Sequence, residues 1–223
     1  MESIMIDTTL IFTSLPKLLY GTLITLQIVV IAFSIGIIFG TLISILETSK
    51  SLLIRSITHI YIASLRGTPT LVQILFIYYV LPQFNISIDP LLAASIAIGL
   101  NCSAYISQII KSGINAIPIG QIEAAKTLGL SSFITMKDII LPQVFKTSLP
   151  SFGNELIALI KDSSLASIIG VMELSKEGSI IRSRTYDAFS ILLAISLIYL
   201  LLTTAVSFGI KSLERNLKKN AQS

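Results

Sequence analysis

Two carboxylates and one guanidinium interrupt sequence that is otherwise apolar. Glu155 and Asp162 fall inside the stretch Leu149–Val171, and Arg66 closes a mixed segment at residues 49–66. On a helix, a separation of seven residues sets Glu155 and Asp162 within about 20° of one face and roughly 10 Å apart along it. That geometry suits a water-filled path in which each carboxylate receives an ammonium or guanidinium group. An ionisable side chain at bilayer depth costs about 3 kcal/mol or more, so such residues are functional candidates by default. The competing reading is that Arg66 or Lys161 neutralises the two acids as internal salt bridges. His59, the one histidine, reads as an interfacial helix residue. Cys102, the one cysteine, reads as a small packing residue and excludes an internal disulfide framework.

These groups need helices long enough to hold them in lipid. The chain has 223 residues, of which 53% are hydrophobic and 13% charged, about half the charged share of a soluble domain. A hydrocarbon core of roughly 30 Å takes about 20 apolar residues as helix. Uncharged runs of that order occur at Leu18–Leu46, Gly67–Ile88, Pro90–Ile110 and Ala188–Ile210, and Leu149–Val171 is a fifth despite Glu155, Lys161 and Asp162. The expectation is an all-α integral membrane protein of about five transmembrane helices. Residues 1–17 would be an extracytoplasmic tail, 18–213 the membrane domain with a cytosolic connection at about 111–147, and 214–223 a cytosolic basic tail. The first run is too long for a secretory signal and reads as a retained span.

Basic residues orient the chain. With the amino terminus outside, the inner connections hold Lys50 and Arg55, then Lys111, Lys126, Lys137 and Lys146, then Lys211, Arg215, Lys218 and Lys219. The outer segments hold Lys17, Lys176, Arg182 and Arg184. The reverse orientation inverts the bias. The net charge of +4 is therefore an orientation signal and gives no footprint for nucleic acid. Within the second span, Gly67 and the residue before Pro69 disfavour helix, while Thr68 as N-cap with Pro69 at the first helical position restarts one, so a break is expected at 67–69. Pro82 and Pro90 should bracket a short outer turn, and Met172–Asp187 should be an outer loop. Gly36 and Gly40 permit close helix approach.

The connection at 111–147 carries its own pattern. Pro118 can open a short helix, Glu123 suits its early turns, and Gly129 is a natural stop. So short a helix is marginal alone in water, so a turn at Pro142 and a partner surface should clamp it. Glu123, Ala124 and Ala125, then Gly129, then Ile139, Leu141 and Pro142 resemble the "EAA" coupling loop of the permease subunits of bacterial ABC importers, at that family's spacing. Further stretches are similar to its polar amino-acid branch. They are Gly21-Thr22-Leu23 with Thr25-Leu26, Leu65–Pro69 with Val72-Gln73, Leu100-Asn101 with Ala104-Tyr105, and Gly153–Ile157 with Lys161–Ser167. The likeness covers most of residues 18–215. It departs at Ser163-Ser164, where Thr-Ser is commoner, and at Ser64, where an acidic or bulky residue is expected.

The resemblance implies a type I ABC importer permease architecture in the bacterial inner membrane, multi-pass, with the carboxyl terminus inside. It implies two cytosolic ATPase subunits that carry the ATP and magnesium, an extracytoplasmic amino-acid-binding protein, and a second permease, identical or similar. Glu123, Ala124, Ala125 and Gly129 would couple to the ATPase. Glu155, Asp162, Asn101, Arg66 and Ser163 would meet the substrate, with Ser103 and Ser164 as further donors and Arg66 facing the α-carboxylate. The chain has no Gly-x-x-x-x-Gly-Lys-Ser/Thr loop to cradle phosphates, so no cofactor is expected on it and the energy source is another polypeptide. The rival is an ion-coupled carrier or channel that uses the acids of span four. An intramembrane hydrolase finds no support, for there is no Gly-x-Ser-x-Gly.

Overall fold

The structure, a computed structural model, describes residues 6–220. All regular structure among the described residues is helical. Helix α1 spans Thr8–Glu47; at 40 residues it is about 60 Å long, twice the hydrocarbon thickness. Asp7 caps it by accepting from the Leu10 amide at 2.8 Å. Its buried stripe runs through Leu18, Gly21, Thr25, Ile28, Ala32, Gly36 and Gly40, spaced by three or four residues, while Leu23, Val30 and Ile38 on other faces stay exposed. The expected tail at 1–17 is thus helical from Thr8 onward, and residues 1–5 lie outside the described residues.

Helix α4, Pro90–Asn115, is the axis of the fold, with Pro90 in its first turn and Asp89 as cap. It packs against α1 at backbone range, because only small groups separate them. A Cβ added at Gly36 would stand 2.5 Å from Cys102 Sγ, and one at Gly99 would stand 2.8 Å from Ile35 Cβ. Without a hydrophobic drive between helices in lipid, such close van der Waals contact is what holds spans together. Where α1 and α4 leave the apolar layer they are joined again, by Lys111 Nζ and Glu47 Oε1 at 2.7 Å.

Between α1 and α4 runs a broken span. Helix α2 (Leu52–Gly67) and α3 (Thr70–Val80, extended by a 3-10 turn at Leu81–Phe84) meet at 104°. The break falls where expected, one residue later in detail. Thr68 ends α2, with its hydroxyl on the Ser64 carbonyl at 2.8 Å, and Pro69 is the N-cap of α3. Pro82 and Pro90 do bracket the turn, which closes on Asn85 at φ 61°.

The connection after α4 holds α5 (Ile119–Thr127) and α6 (Ser132–Ile134), a π-helical turn at Thr135–Ile140, and α7 (Leu141–Thr147). The expected turn at Pro142 is absent: Pro142 lies in the first turn of α7. The π turn explains this. The Leu141 amide reaches back to the Met136 carbonyl, and proline, which has no N–H to donate, follows where a first-turn donor is dispensable.

Helix α8 (Leu149–Asp162) is continued by a seven-residue 3-10 stretch, Ser163–Ile169, that stops at Gly170 with φ +89°. Together they rise about 35 Å. Among the described residues three helices, α1, α4 and α10 (Ala188–Asn220), are long and apolar enough to cross a bilayer alone, and the bent α2–α3 pair makes a fourth by the same measure. The expected fifth span is the α8 stretch, whose 14-residue α-helix carries three charges and falls below that measure. Two further differences concern the ends of α10. The expected outer loop 172–187 contains helix α9, Leu174–Thr185, and the basic tail from 214 continues α10 as far as Asn220, with 221–223 outside the described residues. Asp187 caps α10, and hydrogen bonds from the Ser190 side chain and backbone hold its carboxyl below the usual carboxylate range.

If glycine-limited contact holds α1 to α4, Gly99→Val should lower stability by about 2 kcal/mol, the cost of overpacking. Thermal unfolding of the detergent-purified protein should show a midpoint several degrees lower, whereas Gly120→Ala, where an added Cβ meets nothing within 4 Å, should leave it in place.

Candidate coupling surface and membrane pathway

Helix α5 is short, exposed and closed by a specific device. The Leu130 amide bonds to the Ala125 carbonyl at 3.1 Å, and the Gly129 amide to the Lys126 carbonyl at 2.9 Å. With Gly129 at φ +74°, these two bonds form a Schellman closure. Nothing lies within 4 Å of a Cβ added at Gly129, so backbone conformation, and not space, selects glycine there. Ala125 is buried, while Glu123 and Ala124 are exposed. The Glu123 carbonyl accepts from the Thr127 hydroxyl at 3.0 Å. The helix is fastened to the body by Gln143, whose amide donates to Gln121 at 2.8 Å, and by Ile122 against the core. Around it, Ile119, Leu128 and Phe133 are 67%, 78% and 72% exposed. A rigid polar helix ringed by bare apolar side chains is a surface built to be covered.

Inside the membrane domain, Glu155 and Asp162 share a face of α8 and are both half-buried. Glu155 faces the Cys102 thiol of α4. Neither acid is in an ion pair among the described residues. Lys161 is exposed and acts on Asp162 at longer range. Arg66 is exposed beside the break in the second span, its guanidinium 5.1 Å from the centroid of the Tyr105 ring. The competing reading, internal neutralisation of the acids by Arg66 or Lys161, finds no ion pair among the described residues.

The other expected ligands are engaged with protein groups. Asn101 Nδ2 donates to the Leu65 carbonyl at 2.9 Å and to Gln73 Oε1 at 3.2 Å. Ser163, fully buried, donates to the Ile160 carbonyl at 2.8 Å. Ser103 is bonded to Tyr61 and to the Leu100 carbonyl, and Ser164 to the Lys161 carbonyl. Asn101 serves the break. Ending α2 inside the membrane leaves its last carbonyls without helical partners, and hydrocarbon offers no donor. Gln73 Nε2 also reaches the Leu65 carbonyl at 2.8 Å and the Thr68 carbonyl at 3.1 Å. Residues on α3 and α4 thus close the gap left by α2.

Sequence reasoning missed Glu173. It is fully buried at the start of α9, where its carboxylate accepts from the Ser175 and Lys176 amides at 2.8 and 2.7 Å and from the Tyr199 hydroxyl at 3.1 Å. The next residue, Leu174, sends its amide to Thr25 Oγ1 at 3.3 Å, and its Cα stands 2.9 Å from a Cβ added at Gly21. One carboxylate therefore joins α9 to α10 at the point where α9 meets α1. Glutamate is an uncommon N-cap, so the signal was weak.

Comparison with known proteins places this geometry. Residues 32–219 match the family model described as binding-protein-dependent transport system inner membrane component. The chain is 40% identical over 207 residues to the arginine transport system permease protein ArtQ of Bacillus subtilis, covering 92% of this chain and 94% of that one. It is 37% identical over 214 residues to the glutamine transport system permease protein GlnP of Escherichia coli K12, covering 95% and 98%. Among solved structures, a crystal structure of an amino acid ABC transporter with histidines superposes with TM-score 0.87 at 36% identity, over 95% of this chain and 99% of that one. An inward-facing MetNI methionine ABC transporter superposes with TM-score 0.72 at 19% identity over 94% and 96%, a likeness of fold.

Gln73→Leu should cost about 1–3 kcal/mol, because it removes the donor to the half-buried Leu65 carbonyl and to the Thr68 carbonyl. Asn101→Leu should cost a similar amount. Since both amides meet at the Leu65 carbonyl, the double variant should lose measurably less or more than the sum of the two in an unfolding titration, and strict additivity would show that the two act separately.

Proposed function

Because this chain belongs to the family of binding-protein-dependent transport system inner membrane components, we propose that its pathway carries a polar amino acid into the cell. The chain is a permease subunit of an ABC transporter. The family implies ATPase and substrate-binding partners and a membrane around the chain. The rival reading, an ion-coupled carrier or channel, is not favoured by relatives of this kind.

The observation that carries the coupling role is the Gly129-closed helix α5 with its exposed apolar surround. In the proposed mechanism, two cytosolic ATPase subunits bind ATP and magnesium and draw together, each seating an α5 in its groove. Glu123, Ala124, Ala125 and Gly129 form that contact. The motion passes to the membrane along two routes. One is the turn at Ala116, whose amide bonds back to the Ser112 carbonyl of α4 at 3.1 Å; the other is the Gln121–Gln143 bond to α7. The pathway then opens outward, and a loaded extracytoplasmic binding protein releases its ligand to a pair of permeases. The amino terminus lies outside and the carboxyl terminus inside, in the bacterial inner membrane, as the distribution of basic residues supports.

Along the pathway, Glu155 and Asp162 take the cationic part of the solute and Arg66 its α-carboxylate, in charge-assisted hydrogen bonds. Their half-buried or exposed state and their lack of ion pairs among the described residues support this role. Asn101 and Ser163 act one step back, by fixing the backbone near Arg66 and the end of α8.

The test is reconstitution in vesicles with the partner ATPase and binding protein. Gly129→Arg should abolish uptake and ligand-stimulated ATP hydrolysis while membrane insertion stays intact. The paired variant Glu155→Gln/Asp162→Asn should keep ATP hydrolysis coupled to the binding protein but lower uptake about tenfold or more. Uptake driven by an ion gradient without nucleotide would overturn the reading. So would labelling of Lys126 or Lys137 from outside intact cells.

A further inference from the structure

The uncharged runs of α1 and α4 end at one level. Glu47 is the first charge after the run of α1 and Lys111 the first after that of α4, and they pair at 2.7 Å. The second Glu47 oxygen accepts from Gln108 at 3.0 Å. This pair marks the plane where hydrocarbon gives way to headgroups. Beside it opens a cleft of about 300 Å³ lined by Glu47, Leu52, Arg55, Ser56, His59 and Lys111. Arg55 and Lys111 stand there against the single carboxylate of Glu47, both of whose oxygens are occupied. The cleft is thus net positive before His59 is counted.

Helix α2 supplies the rest of the argument. Arg55, Ser56 and His59 fall on one strip of it. Leu53, Ile57 and Ile60 fall on the neighbouring face and are 69%, 58% and 65% exposed. A helix with a basic strip beside a bare apolar face, starting at the headgroup plane, has the make-up of an interfacial element. We propose that the cleft binds the phosphate of an anionic phospholipid from the leaflet on the side of the α4–α8 connection, with the acyl chains laid along Leu53, Ile57 and Ile60. Arg55 offers a planar fork of donors to the phosphate oxygens, and Ser56 a hydroxyl. Basic pockets between membrane helices bind lipid headgroups on this principle. The site is separate from the transport pathway, and its occupancy does not depend on which solute is carried.

Native mass spectrometry of the detergent-purified transporter, offered phosphatidylglycerol, phosphatidylcholine or inorganic phosphate, tests this. The wild type should retain phosphatidylglycerol in preference to phosphatidylcholine. Arg55→Gln should weaken that retention about fivefold, the effect of one cation near the headgroups, and Arg55→Lys should keep most of it. Ser56→Asp, which sets a negative charge inside the cleft, should expel the lipid by an independent route. Arg184→Gln, on α9, should change nothing. Equal retention by wild type, R55Q and S56D would overturn the proposal, as would equal loss in R184Q. Displacement of the lipid by inorganic phosphate alone would also overturn it, by making this a site for a free anion.

Discussion

Hydrocarbon supplies no hydrogen bonds, and the architecture depends on how each departure from helix is made good within the protein. The break at residues 67–69 is the main case. It turns the second span through 104° and leaves the Leu65 and Thr68 carbonyls without helical donors. Gln73 and Asn101 supply them, so the break is a fixed element that holds Arg66 at a set position over Tyr105. The start of α9 follows the same rule, for Glu173 and Thr25 satisfy three consecutive amides there.

The second organising contact is steric. Gly36, Gly40 and Gly99 bring α1 and α4 so close that the partner side chains Cys102, Ile106 and Ile35 occupy the space a Cβ would need. Because α4 leads directly into α5, this contact gives α5 a rigid support on one side, and Gln143 of α7 gives it another. A force applied at α5 therefore has two stiff routes into the bundle, in keeping with the low compressibility of packed interiors.

Much of this was legible in the residues. Gly67-Thr68-Pro69 announced the break, Pro82 and Pro90 the turn before α4, and Pro118 with Gly129 the short helix, since each acts through local backbone preference. What stayed hidden depends on contacts distant in sequence. Asn101 looked like a ligand because a polar residue in an apolar run says nothing about which way it faces; its partners lie 36 and 28 positions away. Helix α9 looked like a loop because its charges, Lys176, Glu177, Arg182 and Arg184, masked a short amphipathic pattern and its cap is a glutamate. Pro142 looked like a turn because nothing in the sequence marks a π turn just before it.

That π turn has a bearing on length variation. Loops outside a membrane commonly tolerate gain or loss of a residue. Here a single deletion between Thr135 and Ile140 would let the segment wind as ordinary α-helix, and five residues at about 100° each turn through nearly the same arc as six in the wider turn. Val144, which is fully buried and fills the notch that Gly113 leaves in α4, would keep its bearing. The π turn is thus a slot for one surplus residue, and the count at 135–140 can change by one while the docking of α7 is kept.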